Sequence, residues 1–315
     1  MKLPLLLSLC LVSTAGAIHP LPIAAGKNVQ WHSVQISGKE YLPLKQVMEF
    51  YQLDQKTQNG KSITLENQRL TATFTLNGQA AQINGVKYFL SEPIREKHGL
   101  PHLSRLDLST LIEPLFRPQF IQHRRPTKTI ILDPGHGGKD RGAGGEEARH
   151  TLAVALTTKE LLEKLGYRVV MTRVKNIGVS LKQRVQIANA TEDAVMVSIH
   201  FNSGTSRAHG METYIMSARQ PGGNAKIRAS VALATAIHSR TLIGLGKEVL
   251  NDRGIKRARF NVLSGCKHPT VIIEAGFLTH KKDAALIRTK KFQSRLARSI
   301  VRGVEIYNTS LKKRR

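Results

Sequence analysis

Thr129-Ile-Ile-Leu-Asp-Pro-Gly-His136-Gly-Gly138 is the stretch that decides the fold. Its run from Thr129 to Leu132 is short, unbroken and rich in β-branched residues, the pattern of a strand buried on both faces. The run stops at an Asp-Pro-Gly turn with a histidine just beyond it. Two later stretches repeat the arrangement, Ala194-Val-Met-Val-Ser-Ile-His200-Phe-Asn202 and Thr270-Val-Ile-Ile-Glu274-Ala-Gly-Phe-Leu278. In an open parallel α/β sheet, ligands bind in the crevice outside the carboxyl ends of the strands, where side chains distant in sequence converge. Two histidines and a glutamate at three such ends predict a metal hydrolase.

Around these stretches, strand-like runs at Thr129 to Leu132, Tyr167 to Thr172, Ala194 to Ile199, Glu212 to Met216 and Thr270 to Ile273 alternate with helical patterns. The helices are predicted at Thr151 to Leu165, Leu181 to Asn189, Ala225 to Leu242, Lys281 to Ile287 and Lys291 to Tyr307. In the first, Leu152, Leu156, Leu162 and Leu165 fall largely on one helical face. The alternation predicts an α/β domain, a twisted and mainly parallel sheet with helices on both faces.

A zinc site for hydrolysis takes three protein ligands and keeps a fourth position open. His136 and His200 supply two. The third should be a carboxylate or another histidine at the same edge, and Glu146 and Glu147 stand in the glycine-rich loop after His136. Each residue also has a plain structural role on offer: either histidine as a hydrogen-bonded strand end, Glu147 as a helix N-terminal charge, Glu274 as a partner of Arg253.

Asp133-Pro-Gly-His-Gly-Gly138, the loop glutamate, Ser198-Ile-His-Phe-Asn-Ser203, Asp252-Arg-Gly254 and Ile273-Glu-Ala-Gly-Phe-Leu278 together resemble the motifs of the zinc-dependent N-acetylmuramoyl-L-alanine amidases of type 3. The resemblance runs from about Thr129 to Tyr307, in a loop several residues shorter than that family's usual one. It implies Zn2+ held by His136, Glu147 and His200, with Glu274 as the catalytic glutamate. Glu147 is preferred to Glu146 because the family's ligand stands five residues before a helix-opening leucine, here Leu152. The resemblance also implies hydrolysis of the amide between N-acetylmuramic acid and L-alanine in peptidoglycan. Asn202 would orient substrate or brace the site, and Arg253-Gly254 and Asn261 would shape the groove. Some relatives carry an extra autoinhibitory helix before the Asp-Arg-Gly motif. Ser203 to Asn251 holds one strand and one helix pattern, so the groove is expected to be unobstructed. His209, His238, His268 and His280 read as structural.

From Val29 to about Leu115 the grammar is different: short β-type runs separated by Asn59-Gly60, Asn77-Gly78 and Asn84-Gly85, with short helices at Leu44 to Leu53 and Asp107 to Leu115. No metal ligands cluster there. The Gly-x-x-Tyr-x-Pro-Leu pattern and its following elements resemble the N-terminal domain of copper amine oxidases, a module that recurs in bacterial envelope proteins, and this implies a positioning or wall-interaction role without copper. The expected organisation is a signal peptide (1–17), a small α+β accessory domain (18–116), a proline-containing linker (117–128), the amidase domain (129–310) and a basic tail (311–315).

The leader reading rests on Lys2, the apolar run Leu3 to Val12 and Ala15-Gly16-Ala17, placing the mature start near Ile18. Leu9 argues against Cys10 as a lipidation site, and Cys266 would then lack a disulfide partner and read as an ordinary thiol. No other apolar stretch reaches the ~20 residues needed to span a bilayer. With 48 Lys and Arg against 22 Asp and Glu, the chain carries a formal charge of +26. For an exported protein, periplasmic or wall-associated, the matching partner is an anionic wall polymer such as peptidoglycan. Aromatic residues make up 5% and no base-stacking module is present, which disfavours specific nucleic-acid binding. Two competing functions are a non-catalytic relative that binds muropeptide or a regulator, and a zinc peptidase acting on stem peptides. Occupancy of all four candidate positions argues against the first.

Overall fold

The computed structural model describes residues 29–122, 126–246 and 250–312. The proposed leader with Cys10, the start near Ile18, the His123-Arg-Arg run and the last three residues of the basic tail lie outside them.

The first half contains β1 (Val34–Ile36), β2 (Lys39–Pro43), α1 (Leu44–Tyr51), β3 (Asp54–Asn59), β4 (Ser62–Glu66), β5 (Thr71–Thr75), β6 (Ala80–Ile83), β7 (Val86–Phe89), β8 (Arg95–Lys97) and β9 (Leu100–Ser104). Helices α2 (Arg105–Asp107) and α3 (Glu113–Phe116) follow, joined by a wider helical turn over Leu108–Ile112. Asn84 and Gly85 take positive φ of 47° and 78° and join β6 to β7 as a two-residue hairpin, the geometry that an Asn-Gly pair favours.

The second half contains β10 (Thr129–Pro134), α4 (Glu147–Lys164), β11 (Arg168–Met171), α5 (Leu181–Ala190), β12 (Ala194–Asn202), β13 (Met211–Met216), α6 (Ala225–Leu245), β14 (Asp252–Ala258), α7 (Asn261–Gly265), β15 (Thr270–Phe277), α8 (Lys281–Ile287) and α9 (Lys290–Ser310). The strand order is β11-β10-β12-β15-β13-β14. The first four strands are parallel, whereas β13 runs antiparallel to β15 and parallel to β14. The expected mainly parallel α/β sheet is therefore present, with two strands reversed at one end. The chain leaves β10 for β11 on one side and returns to β12 on the other, so the loops after β10 and β12 diverge at a crevice.

Both faces are covered, as alternating burial along the strands requires. Ile130, Leu132, Val197 and Ile273 join one core with Val154 of α4, Leu233 of α6 and Ile300 of α9. Ile131, Met196 and Ile272 point the other way, onto Ala188 of α5 and Val262 and Leu263 of α7. Each of the Ile, Leu, Val and Met side chains contributes roughly 1.5–3 kcal/mol on burial.

The sheet does not stop at β14. Tyr88 of β7 pairs in parallel with Ile255 of β14, so β7, β6, β5, β4 and β3 continue the same sheet to eleven strands. Across this junction the Lys87 amide donates to Asp252 Oδ2 (3.1 Å) and the Tyr88 hydroxyl to Thr235 Oγ1 (3.1 Å). Arg257 donates to the Thr110 carbonyl (3.2 Å). Within the stretch between the halves, Pro118 and Ile121 are buried and the Thr127 amide donates to Asn308 Oδ1 (3.1 Å).

Three boundaries differ from expectation. Helix α4 opens at Glu147, not near Leu152, so the glutamate sits in the first turn. Strands β12 and β15 run on through His200 and Glu274, which places both side chains within strands rather than past their ends. Strand β14 and helix α7 had no separate periodic signal, because Asp252–Ala258 holds four charged residues and a glycine around Ile255 and shows no apolar alternation.

Candidate metal centre

His136 follows β10 in a turn whose shape depends on glycine and on two buried arginines. Its own φ is +60°, a left-handed conformation uncommon outside glycine. Arg173 donates to the carbonyls of Pro134 (3.0 Å), Gly135 (2.8 Å) and Ala148 (2.7 Å). Arg184 donates to Asp133 Oδ1 (2.5 Å), the Pro134 carbonyl (2.8 Å) and the His136 carbonyl (2.6 Å). Burial pushes the Arg173 guanidinium down to about 10, still charged at neutral pH. Asp133, also bonded by Thr172 and Ser198 (both 2.7 Å), balances this charge and is held below the usual carboxylate range despite its burial. These residues hold the loop in shape.

Glu147 lies between the two imidazoles. Its Oε2 is 3.0 Å from His136 Nε2 and its Oε1 is 2.9 Å from His200 Nδ1. One donor atom from each of the three residues falls within 4.8 Å of the others. The amides of Ala143 (2.8 Å) and Phe201 (3.1 Å) donate to the same carboxylate. Burial raises the Glu147 carboxyl, but hydrogen bonds from His136 and His200 prevail and hold it far below the ordinary range. The same contact with Glu147 lifts His136 to about 9. For His200 burial pulls the imidazole down, and Glu147 and Glu274 more than compensate. Two imidazoles and an ionised carboxylate within one ion's reach form a donor set that suits zinc.

Glu146 points elsewhere. Arg288 donates to its Oε1 twice (2.9 and 2.6 Å), and Oε2 meets Arg149 and His150 (both 3.1 Å). Of the two adjacent glutamates, Glu147 is the one the fold brings to the histidines. Asp140, which sequence reading passed over, sits 2.8 Å from His136 Nδ1 and so fixes which ring nitrogen faces Glu147. Its position four residues after the histidine was the available signal.

Two glycines make the cluster possible. A Cβ on Gly135 would stand 2.2 to 2.5 Å from the His200 ring, and one on Gly142 would stand 2.5 Å from Glu147 Oε2. Gly135→Ala is therefore expected to displace His200 and weaken divalent-cation affinity roughly ten- to hundredfold, measured by competition with a chromogenic chelator. An unchanged affinity would show that the ring can move aside without cost.

Glu274 lies beside the cluster on β15, paired in register with His200 of β12 on one side and Glu212 of β13 on the other. Burial raises its carboxyl to about 7, opposed by the His200 charge and helped by Glu147 and Glu212. Its Oε2 is buried without a hydrogen-bond partner. Arg253 does not neutralise it. The Arg253 Nε donates to Glu212 Oε2 (2.8 Å), and its guanidinium lies 4.9 Å over the Phe277 ring. Asn202 Nδ2 donates to Glu212 Oε1 (2.7 Å), as does the Tyr214 hydroxyl (2.8 Å), and Lys256 also bonds this carboxylate. Asn202 and Arg253 thus meet each other at Glu212, a residue that sequence reading left in a strand without a role.

A cleft of about 1000 Å³ opens over His136, His200 and Glu274, lined also by Asp140, Ser180 and Asn261. Helix α6 does not cover it: Thr213, on the opposite face from Glu212, meets His238 of α6 (2.9 Å). His238 also bonds Asp252 (3.0 Å), His268 meets the Thr191 carbonyl (2.8 Å), and His280 meets Asp283 (3.0 Å) and stacks on His209. Cys266 is buried and free.

A donor cluster at a sheet crevice, with an unpaired carboxyl beside it, is an arrangement able to hold a metal ion next to a proton-transferring group. The family comparison is more specific: a sequence profile described as N-acetylmuramoyl-L-alanine amidase matches residues 130–306, and the chain belongs to that family. Over 183 residues it is 35% identical to the uncharacterized protein YqiI of Bacillus subtilis, covering 57% of this chain and 84% of that one. Over 230 residues it is 34% identical to the N-acetylmuramoyl-L-alanine amidase AmiC of Neisseria meningitidis, covering 61% of this chain and 55% of the relative. The chain thus spans about half the length of the latter. Among solved structures, the catalytic domain of the amidase CwlV from Paenibacillus polymyxa matches with a TM-score of 0.51 and 34% identity, over 57% of this chain and 98% of that domain.

Proposed function

We propose that this protein is an exported, zinc-dependent N-acetylmuramoyl-L-alanine amidase that cleaves the amide joining N-acetylmuramic acid to L-alanine in peptidoglycan, in wall remodelling or cell separation. The observation that carries the reading is the unpaired, buried carboxyl of Glu274 in register with His200, beside the His136–Glu147–His200 donor cluster. His136, Glu147 and His200 would hold the metal, which when bound supplies Lewis acidity toward the scissile carbonyl and the attacking water. Glu274 accepts the proton that water loses on attack and delivers it to the departing amine of L-alanine. A carboxyl poised near neutrality suits both halves of that transfer. Asn202, fixed to Glu212, braces the floor, and Arg253 stands beside it for substrate.

Export is supported by the leader pattern and by the charge of +26, which suits an anionic wall. Among the described residues no helix is long and apolar enough to cross a membrane. The segment before residue 117 is assigned as the accessory module that its pattern resembles.

The test is product analysis of digested peptidoglycan. The amidase reading predicts glycan with free muramyl groups plus intact peptides that have gained an L-alanine amino terminus. Peptide fragments with the muramyl linkage preserved would instead establish a peptidase.

A further inference from the structure

The face of the extended sheet opposite α6 carries a line of side chains from Glu274 into the N-terminal half. Glu212 lies opposite Glu274 across the β13–β15 pair. Lys256 of β14 bonds the Glu212 carboxylate, and its ammonium lies 6.0 Å from the Tyr214 ring centre and 5.7 Å from that of Phe89. Phe89 belongs to β7, as does Lys87, whose ammonium is 5.3 Å from the same ring. Val86 and Tyr88 are buried, with the Tyr88 hydroxyl on α6, so Lys87 and Phe89 project from the face opposite α6, where Glu212 also projects. A Cβ on Gly254 would meet the Lys87 carbonyl and the Phe89 ring at 3.1 Å, so glycine lets the two halves close up at this point.

The charge along this line is unbalanced. Arg253 and Lys256 share the one Glu212 carboxylate. Lys87 has no ion pair among the described residues, and its ammonium lies over the Phe89 ring. Asp252 is taken up by His238 and by the amides of Lys87 and Gly254. Beyond Glu274, three cations and an aromatic face thus oppose a single carboxylate, an arrangement complementary to an anionic, extended ligand.

We propose that the N-terminal half is part of the substrate site: Lys87 and Phe89, with Lys256, form a subsite for a carboxylate of the stem peptide. This rests on the amidase reading. From β15 to β7 there are three strand spacings, roughly 14 Å. An extended peptide covers that distance in about four residues. The carboxylate bound at Lys87 is accordingly the one about four residues from the scissile amide, and Phe89 supplies the apolar surface beneath the chain.

The test compares a muramyl tetrapeptide ending in a free carboxylate with the same molecule ending in a carboxamide, using the full chain loaded with zinc. The native protein is expected to favour the free acid roughly three- to tenfold in KM. Lys87→Ala should bring that ratio close to one, Lys87→Arg should retain it, and Lys61→Ala, an exposed lysine in the turn between β3 and β4, should behave as native. Lys87→Gln serves as a second neutral variant, with thermal unfolding verifying that each variant is folded. Cleavage of both substrates with no preference, or a preference that survives Lys87→Ala and Lys87→Gln, overturns the subsite. If the native protein cleaves neither substrate, the amidase reading itself fails and the subsite falls with it.

Discussion

Glu274→Gln is expected to lower turnover of a muramyl-peptide substrate by roughly 10²- to 10⁴-fold, the usual contribution of a positioned general base, while zinc uptake persists. Glutamine keeps the size and one hydrogen-bonding oxygen but cannot accept the proton of the attacking water. The same substitution should alter stability with a definite sign. The Glu274 carboxyl titrates at about 7 in the folded chain, against an ordinary 4.5, because burial opposes its charge. Between those values the folded chain holds a proton that the unfolded chain has released. The contribution of this group to stability is therefore greatest below the unfolded value and is lost as pH rises through the folded one. Metal-free Glu274→Gln should melt above the metal-free native protein at about pH 8, by an amount on the order of 1–3 kcal/mol, and lose most of that advantage at about pH 4. Full activity in this variant, or a melting difference of the opposite pH dependence, would remove Glu274 from the role assigned to it.

Loss of the donor cluster should be as damaging and should differ in kind. Chelation is expected to abolish activity and added zinc to restore it, whereas His200→Ala or Glu147→Gln should not recover at the zinc concentration that restores the native protein. Zinc at a hundredfold excess over its dissociation constant should stabilise the native chain by about 2.7 kcal/mol, read as a rise in melting temperature. Glu147→Gln is the sharper variant. It leaves both imidazoles in place but removes the carboxylate that lies 3.0 and 2.9 Å from them, so a zinc-dependent shift of native size would exclude Glu147 as a ligand.

The sequence shows the donor atoms more plainly than it shows what positions them. His136, His200 and Glu274 stand in buried-strand patterns, which are local in sequence and therefore readable. Glu147 needed a resemblance to separate it from Glu146, since the choice depends on where α4 begins, and helix boundaries are weakly encoded. Arg173 and Arg184 carry no distinguishing signal in a chain with 48 Lys and Arg. Their role comes from converging on the carbonyls around His136, a long-range fact with no periodic signature. Glu212 was equally hidden, because its meaning lies in the strands on either side of β13. Strand β14 escaped notice since Arg253, Lys256 and Arg257 occupy a position that is an edge within the catalytic half and is closed by β7 in the whole chain.

That closure limits how other chains can attach. An exposed edge strand offers unpaired backbone groups to any segment able to extend the sheet. With β7 against β14, the free edges of the eleven-stranded sheet are β11 and β3, some ten strand spacings or roughly 48 Å apart. β11 adjoins β10, the strand that presents the His136 loop, whereas β3 belongs to the half that carries no candidate ligand. A segment that extends this sheet by strand addition therefore meets either the neighbourhood of the donor cluster or the end of the sheet farthest from it, and neither edge lies on the row beside Glu212.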